Sequence, residues 1–125
     1  VAELRAGRKT SHWMWFVFPQ IAGLGISEMS RRYAISSLDE ARAYLAHPVL
    51  GTRLLECVRV LNELSGLTAA EIFGPVDAMK LRSSLTLFTR AAPENPFFRD
   101  ALDRYFDGVA DNATDALLMP FRREA

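Results

Sequence analysis

The chain has 125 residues, of which 50% are hydrophobic and 24% are charged, and its 15 basic residues balance 15 acidic ones. This length suits one domain with a core of its own, and the composition is that of a globular protein rather than a disordered or fibrous one. A net charge of zero argues against bulk binding to nucleic acid or to an anionic membrane, because both need a positive surplus.

Cellular location is predicted from the single cysteine and from the lack of long apolar runs. Cys57 has no partner for an internal disulfide, which fits the reducing cytoplasm, and it lies in a helical run as a predicted core residue. Residues 13–18 form the longest uncharged apolar run, far below the ~20 residues of a membrane span. Residues 1–7 have the pattern of a helix end stopped by Gly7. We therefore expect that a short segment precedes them in the full protein.

Residues 7–25 hold both tryptophans, His12 and three glycines. Most of the aromatic side chains are predicted to lie in the core, with Trp15 the more exposed of the two tryptophans. No second ligand stands at metal spacing from His12, so no metal is predicted. Gly23 and Gly25 lack the strand and the third glycine of a nucleotide-binding loop. The sequence therefore predicts no bound cofactor.

Capping signals predict three helices in the middle of the chain. Residues 37–40 form a capping box that opens a helix to about residue 46, and residues 68–71 form a second one that opens a short helix stopped by Gly74. Between them, Pro48 is predicted to be the first residue of a helix that ends at residues 65–66. His47 is predicted to cap that helix. The apolar residues at helical spacing on its buried face are Leu50, Leu54, Val58 and Leu61.

The helix predicted over residues 75–90 carries a polar line between apolar groups. At about 100° per residue, Asp77, Lys80 and Ser84 fall on one inward-facing line, with Ser83 at its margin. They either form a structural ion pair and a backbone hydrogen bond at the edge of the core, or line a ligand pocket. The residues predicted to project into solvent on the opposite face are Arg82, Thr86, Thr89 and Arg90.

Two further helices are predicted after the turn that Pro93 and Pro96 bracket. The first ends near Gly108, and the second, which contains Leu117 and Leu118, is capped by Asp111 or Thr114. The carboxylates of Asp103, Asp107, Asp111 and Asp115 are predicted to be solvated or to cap helices, with a polar cleft as the alternative. Since only residues 13–18 have strand character, the sequence predicts an all-α fold, a compact single-domain bundle of about five to seven short helices over residues 1–125.

Several long motifs of the chain are distinctive, among them GRKTSHWMWFVFPQ (7–20), GLG (23–25), YLAHPVLGTRL (44–54), IFG (72–74) and SSLTLF (83–88). With these motifs the chain closely resembles the bacterial family known as domain of unknown function 1810, whose members are sometimes mislabelled calpastatin-like. The resemblance implies a small, all-helical, cytosolic domain with no established activity. It also implies an additional N-terminal helical segment, with a Phe and an Ala-Gln pair, that this chain lacks. The family is distantly similar to NADAR domains, which implies ADP-ribose and N-glycoside chemistry but assigns no catalytic residue here.

These observations predict a domain that binds or processes a small phosphate- or ribose-bearing metabolite resembling ADP-ribose or NAD. Two lysines would neutralise phosphate, Trp15 would stack on a ring, and His12, Asp77 or Lys80 would move protons if a reaction occurs. The alternative is a non-enzymatic module that docks a protein or forms a homodimer through exposed aromatics. The predicted ligand-binding residues are Lys9, His12, Trp15 and Gln20 on one wall and Lys80, Ser83 and Ser84 on the other.

Overall fold

The computed structural model describes residues 2–7, 14–22, 34–64 and 66–123. Helices account for most of these residues, and none of the described residues belongs to a β-strand. The all-α prediction is therefore confirmed. In chain order the helices are α1 (Ala2–Arg5), α2 (Met14–Val17), α3 (Leu38–Ala46), α4 (Leu50–Glu63), α5 (Ala69–Phe73), α6 (Pro75–Ala91), α7 (Pro96–Phe106) and α8 (Asn112–Arg123).

Local capping explains where the middle helices begin. Ser37 Oγ accepts a hydrogen bond from the Glu40 N–H at 3.1 Å. Thr68 and Glu71 form the complete reciprocal box at 3.1 and 2.8 Å. His47 Nδ1 accepts from the N–H groups of residues 49 and 50, both at 3.1 Å. The box at Thr68 is confirmed. The box at Ser37 is confirmed only for the serine, because the Glu40 carboxylate accepts from Ser36 Oγ instead. The His47 side chain does bond to the first N–H groups of α4, but the N-cap position is Val49 and α4 begins at Leu50, two residues after the predicted Pro48.

A single backbone bridge fastens the segment after α2 to the segment before α3. Ile21 and Ile35 form this isolated parallel bridge. The Ile35 N–H donates to the Gln20 carbonyl at 2.8 Å, and the Ala22 N–H donates to the Ile35 carbonyl at 2.7 Å. One residue pair with two hydrogen bonds is too little for a sheet, but these bonds fix the backbone of Gln20 against the segment before α3.

Helix α6 lies at the centre of the domain and contacts α2, α3, α5, α7 and α8. Its Phe88 ring stacks on Phe98 of α7 with centroids 5.5 Å apart and meets Tyr44 of α3 at 5.7 Å. Cys57 of α4 is buried in the same core, and this burial raises the pKa of its thiol. The prediction that Cys57 is a core residue is confirmed.

The face of α6 that was predicted to be solvated is instead covered. Thr86 is 0% exposed and Thr89 is 6% exposed, so this prediction is wrong. The reason is tertiary: α8 packs across this face and presents polar groups that satisfy its side chains. The same packing leaves Asp111 and Asp115 only half-buried and bonded to α6, whereas Asp103 and Asp107 are exposed as predicted.

Candidate functional site

A polar seam joins α6 to α8; it comprises Arg82, Ser83, Thr86 and Arg90 on α6 and residues 109–115 opposite them. At its C-terminal end, Arg90 Nε and Nη2 donate to the two carboxylate oxygens of Asp115 at 2.9 and 3.0 Å. This paired geometry is the strong form of a charge-assisted hydrogen bond. The bond to Asp115 raises the pKa of Arg90, so the guanidinium stays charged at any physiological pH.

Asp111 is the centre of the seam. Its Oδ2 accepts from the N–H and the hydroxyl of Thr114 at 2.9 and 2.6 Å, which caps α8. The same oxygen lies 3.2 Å from Ser83 Oγ, and the Asp111 N–H donates to Thr86 Oγ1 at 2.9 Å. Arg82 donates to the carbonyls of residues 109 and 110 at 2.8 and 3.2 Å. These polar groups have protein partners, so the seam has a structural role.

A second set of polar side chains, the polar line, occupies another face of the same helix. It comprises Asp77, Lys80 and Ser84, which recur at helical spacing. Lys80 Nζ lies 3.3 Å from Asp77 Oδ1, and the two side chains are 21% and 20% exposed. Ser84 is 0% exposed. The prediction that this line turns inward is therefore confirmed for Ser84 and holds in part for the ion pair.

Ser84 differs from the other buried hydroxyls of α6 in its hydrogen bonding. Ser83, Thr86 and Thr89 each donate to the carbonyl four residues earlier, at 3.2, 2.8 and 2.7 Å. Ser84 Oγ makes no such bond and has no partner in the part of the chain that the structure describes. A buried hydroxyl without a partner loses its hydrogen bonds to water at a cost of about 1–3 kcal/mol. Such a group calls for a specific explanation.

Gln20 provides a second buried polar atom without a partner. Its backbone carbonyl is fixed by Ile35, yet Nε2 of its side chain is buried and unpartnered among the described residues. Gln20 follows α2, and α2 packs against α6. Asn62 Oδ1 is also unpartnered, but the nitrogen of that amide donates to the Phe97 carbonyl at 3.2 Å, so this side chain joins α4 to α7.

The other predicted site residues fall into two groups. Lys9 and His12 lie outside the described residues, and so does the side chain of Trp15, whose backbone belongs to α2. Ser83 is described, but its hydroxyl contacts the Met79 carbonyl and Asp111, so it belongs to the seam. Within the described ranges, no three or more His, Cys, Asp or Glu side chains are grouped to hold a metal ion.

One group of residues around a cavity was missed by the sequence analysis. Arg90 and Arg99 line a common cavity of about 360 Å³ together with Leu38, Thr89, Pro93 and Leu118. These residues come from four helices and one turn that are distant in sequence. Because the sequence analysis placed Arg90 on a solvated face, it did not assign Arg90 to a cavity. A charged residue in the last turn of a central helix was the only available indication.

The fold and these sites define a small all-α domain built around one central helix with two polar faces. The family model for the protein of unknown function DUF1810 matches residues 1–118, and this chain belongs to that family. It is also similar to the crystal structure of the conserved hypothetical protein Rv1873 from Mycobacterium tuberculosis. That similarity has 55% sequence identity and a TM-score of 0.92, and covers 94% of this chain and 84% of that one.

The family and the similar structure come with no stated biochemical role. No curated protein matches the sequence, and the similarity to NADAR domains stays a prediction. None of the helices in the described ranges has both the length and the apolar character needed to cross a bilayer.

Proposed function

We propose that this domain binds a small phosphate- or ribose-bearing metabolite, resembling ADP-ribose or NAD, between residues 7–25 and the polar line of α6. The observation that carries the proposal is the pair of unpartnered buried groups, Ser84 Oγ and Gln20 Nε2. Both residues are among those that the sequence predicts to bind ligand. A hydroxyl and an amide N–H₂ are suitable donors to sugar hydroxyl or carbonyl oxygens.

The cost of these groups supports a binding role. Two unsatisfied buried polar groups would together destabilise the unliganded domain by about 2–6 kcal/mol, a large share of a typical total of about 5–15 kcal/mol. A ligand or ordered water that bonds to both would recover much of that free energy. Alanine at position 84 would avoid the cost of the hydroxyl, so serine there is explained by a polar partner.

Lys80 and Asp77 supply the charges beside Ser84. Lys80 lies one turn before Ser84 on the same helix face, and its ammonium lies 3.3 Å from Asp77. In the proposal Asp77 orients Lys80, and Lys80 offers a point charge to a phosphate oxygen. Lys9, His12 and Trp15 contribute as the sequence predicts: Lys9 to phosphate, Trp15 to a ring and His12 to proton transfer. Ser83 contributes only by anchoring α6 to α8, because its hydroxyl already has acceptors.

Thermal unfolding with ADP-ribose, NAD and simple nucleotides tests the proposal. A ligand at 100 times its Kd stabilises the folded state by about 2.7 kcal/mol, which raises Tm by roughly 10 °C in a domain of this size. Ser84→Ala and Lys80→Ala should each reduce that shift. Two matched controls, Ser83→Ala and Arg59→Ala, should retain it, because Ser83 belongs to the seam and Arg59 is an exposed residue of α4.

The outcomes separate the candidate functions. A shift that depends on Ser84 and Lys80 supports a ligand site at the polar line. If none of the compounds shifts Tm, the metabolite proposal is overturned. If all four variants respond equally to a ligand that does shift it, binding occurs elsewhere and the proposed location is wrong.

A further inference from the structure

The cavity that contains Arg90 and Arg99 lies at the junction of four helices. It has a volume of about 360 Å³ and is lined by residues of α3, α6, α7 and α8 and by Pro93. Arg90 and Arg99 are its two charged lining residues, and no carboxylate is among them. Leu38, Pro93 and Leu118 form apolar walls. Such walls displace water and thereby strengthen electrostatic interactions inside a cavity.

Asp115 holds the Arg90 guanidinium in a fixed orientation. It fixes Nε and Nη2 of Arg90 in a planar two-bond arrangement, which restricts the rotation of the guanidinium before any ligand arrives. A guanidinium has five N–H donors, and the structure gives Arg90 no further hydrogen-bond partner among the described residues. The two N–H groups of Nη1 therefore stay available, on a side chain that is 31% exposed.

Arg99 supplies charge that is only weakly compensated. Its Nε lies 3.7 Å from Asp103 Oδ1, beyond hydrogen-bond distance, and both side chains are at least 60% exposed. An exposed pair with this geometry contributes little. Because Asp115 already balances Arg90, Arg99 provides the positive charge that would attract an anion to the cavity.

We propose that this cavity binds a small oxyanion, namely inorganic phosphate or the phosphate of a monoester, between Arg90 Nη1 and Arg99. Arginine is well suited to phosphate because its planar fork can donate two parallel N–H bonds. The site is separate from the polar line, since it uses neither Lys80 nor Ser84. It holds whether or not the metabolite proposal does.

Titration of the ¹⁵N-labelled chain with inorganic phosphate at constant ionic strength tests the site. We expect chemical-shift changes at Thr89, Arg90 and Arg99, including the side-chain Nε–H signals of the two arginines. Arg99→Gln should weaken binding about tenfold, which corresponds to about 1.4 kcal/mol. Arg59→Gln is the matched control, because it removes the same charge from an exposed position on α4 and should leave the affinity unchanged.

The outcomes distinguish this site from the polar line. Lys80→Ala should leave the phosphate response at Arg90 and Arg99 intact, even where it abolishes binding of ADP-ribose. Sulfate used in place of phosphate should shift the same signals. The proposal is overturned if phosphate shifts no signals around the cavity, or if Arg59→Gln weakens the response as much as Arg99→Gln. The spectrum of Arg99→Gln without phosphate should be that of a folded protein, which shows that weaker binding is not caused by unfolding.

Discussion

The two polar faces of α6 differ in how their polar groups are satisfied. On the seam, Arg90 makes two bonds to Asp115 of α8. The Ser83 and Thr86 hydroxyls have partners both on α6 and at Asp111, the residue directly before α8. On the polar line, Ser84 is fully buried and has no partner in the described residues. Both faces belong to one helix of 17 residues, so helix propensity and the local backbone do not account for the difference.

The two faces of α6 show how a buried polar residue with a partner differs from one without a partner. A buried group with a partner contributes modestly to stability, whereas one without a partner destabilises the fold. The seam follows the first pattern and fastens α8 to the core. On the polar line, Ser84 follows the second pattern, which is expected of a group whose partner is a ligand or water.

Removal of Asp115 should produce the largest change on the seam. Asp115→Ala leaves the Arg90 guanidinium without its two charge-assisted bonds, and we expect the free energy of unfolding to fall by about 2 kcal/mol. Urea denaturation measures this. The control is Asp103→Ala on the exposed pair with Arg99, which should cost less than about 0.5 kcal/mol. Equal effects would show that the seam is no stronger than a surface ion pair.

The hydroxyl of Thr86 should show a somewhat smaller effect. Thr86→Val keeps the shape of the side chain but leaves the Asp111 N–H without its acceptor, so we expect a loss of about 1.5 kcal/mol in urea denaturation. Thr52→Val, at an exposed position of α4, should change stability by no more than about 0.5 kcal/mol. A neutral Thr86→Val would mean that the buried hydroxyl contributes nothing to the attachment of α8.

Adjacent serines allow the comparison to be tested with the same substitution. Ser83→Ala removes a partnered hydroxyl and should destabilise the unliganded domain by about 1 kcal/mol. Ser84→Ala removes an unpartnered one, so stability should rise by about 1 kcal/mol, the lower end of the cost of such a group, aided by the better helix propensity of alanine. Thermal unfolding without ligand measures both. A marked loss in Ser84→Ala would contradict the assignment of Ser84 as unpartnered.

Tyr105 gives the smallest effect and extends the comparison to α7. Its hydroxyl donates to the Leu61 carbonyl, and burial raises its pKa above the ordinary value of 10.0. Since the folded state favours the neutral phenol, this contribution to stability is complete below pH 10 and is lost as pH rises through the raised pKa. Tyr105→Phe should therefore lose stability less steeply than the wild type as pH rises above 10. Identical slopes in urea denaturation would contradict this.

Short-range signals predicted much of the fold. The capping signals at Ser37, His47 and Thr68 need only three or four consecutive residues, and each side chain bonds to N–H groups at a helix start as predicted, with the reciprocal box complete at Thr68 alone. The periodicity of α4 also predicted most of its buried face, because Leu54, Val58 and Leu61 are all 0% exposed while Leu50 is half-buried. Of the predicted site, the inward position of Ser84 followed from helical spacing alone.

The spacing of residues along one helix could not predict contacts between segments that are distant in the sequence. Thr86, Thr89 and Arg90 are polar and occupy the face opposite the main apolar stripe, which in an isolated helix indicates solvent. Nothing in their local pattern reveals that Asp111, directly before α8, bonds to Thr86. Nor does it reveal that Asp115 of α8 bonds to Arg90 from 25 residues later. The wrong prediction for this face thus arose from polar groups that are buried because they are paired.

The sequence by itself determined that the chain is all-α, where its central helices begin, and which family it belongs to. These properties depend on propensity, capping and motif, which are encoded in neighbouring residues. Only the tertiary structure decided which polar face of α6 is sealed by α8 and which retains unpartnered groups. The same is true of the cavity that joins Arg90 to Arg99. The physical reason is that the cost of burying a polar group depends on its partner in space, and spacing along one helix carries no information about that partner.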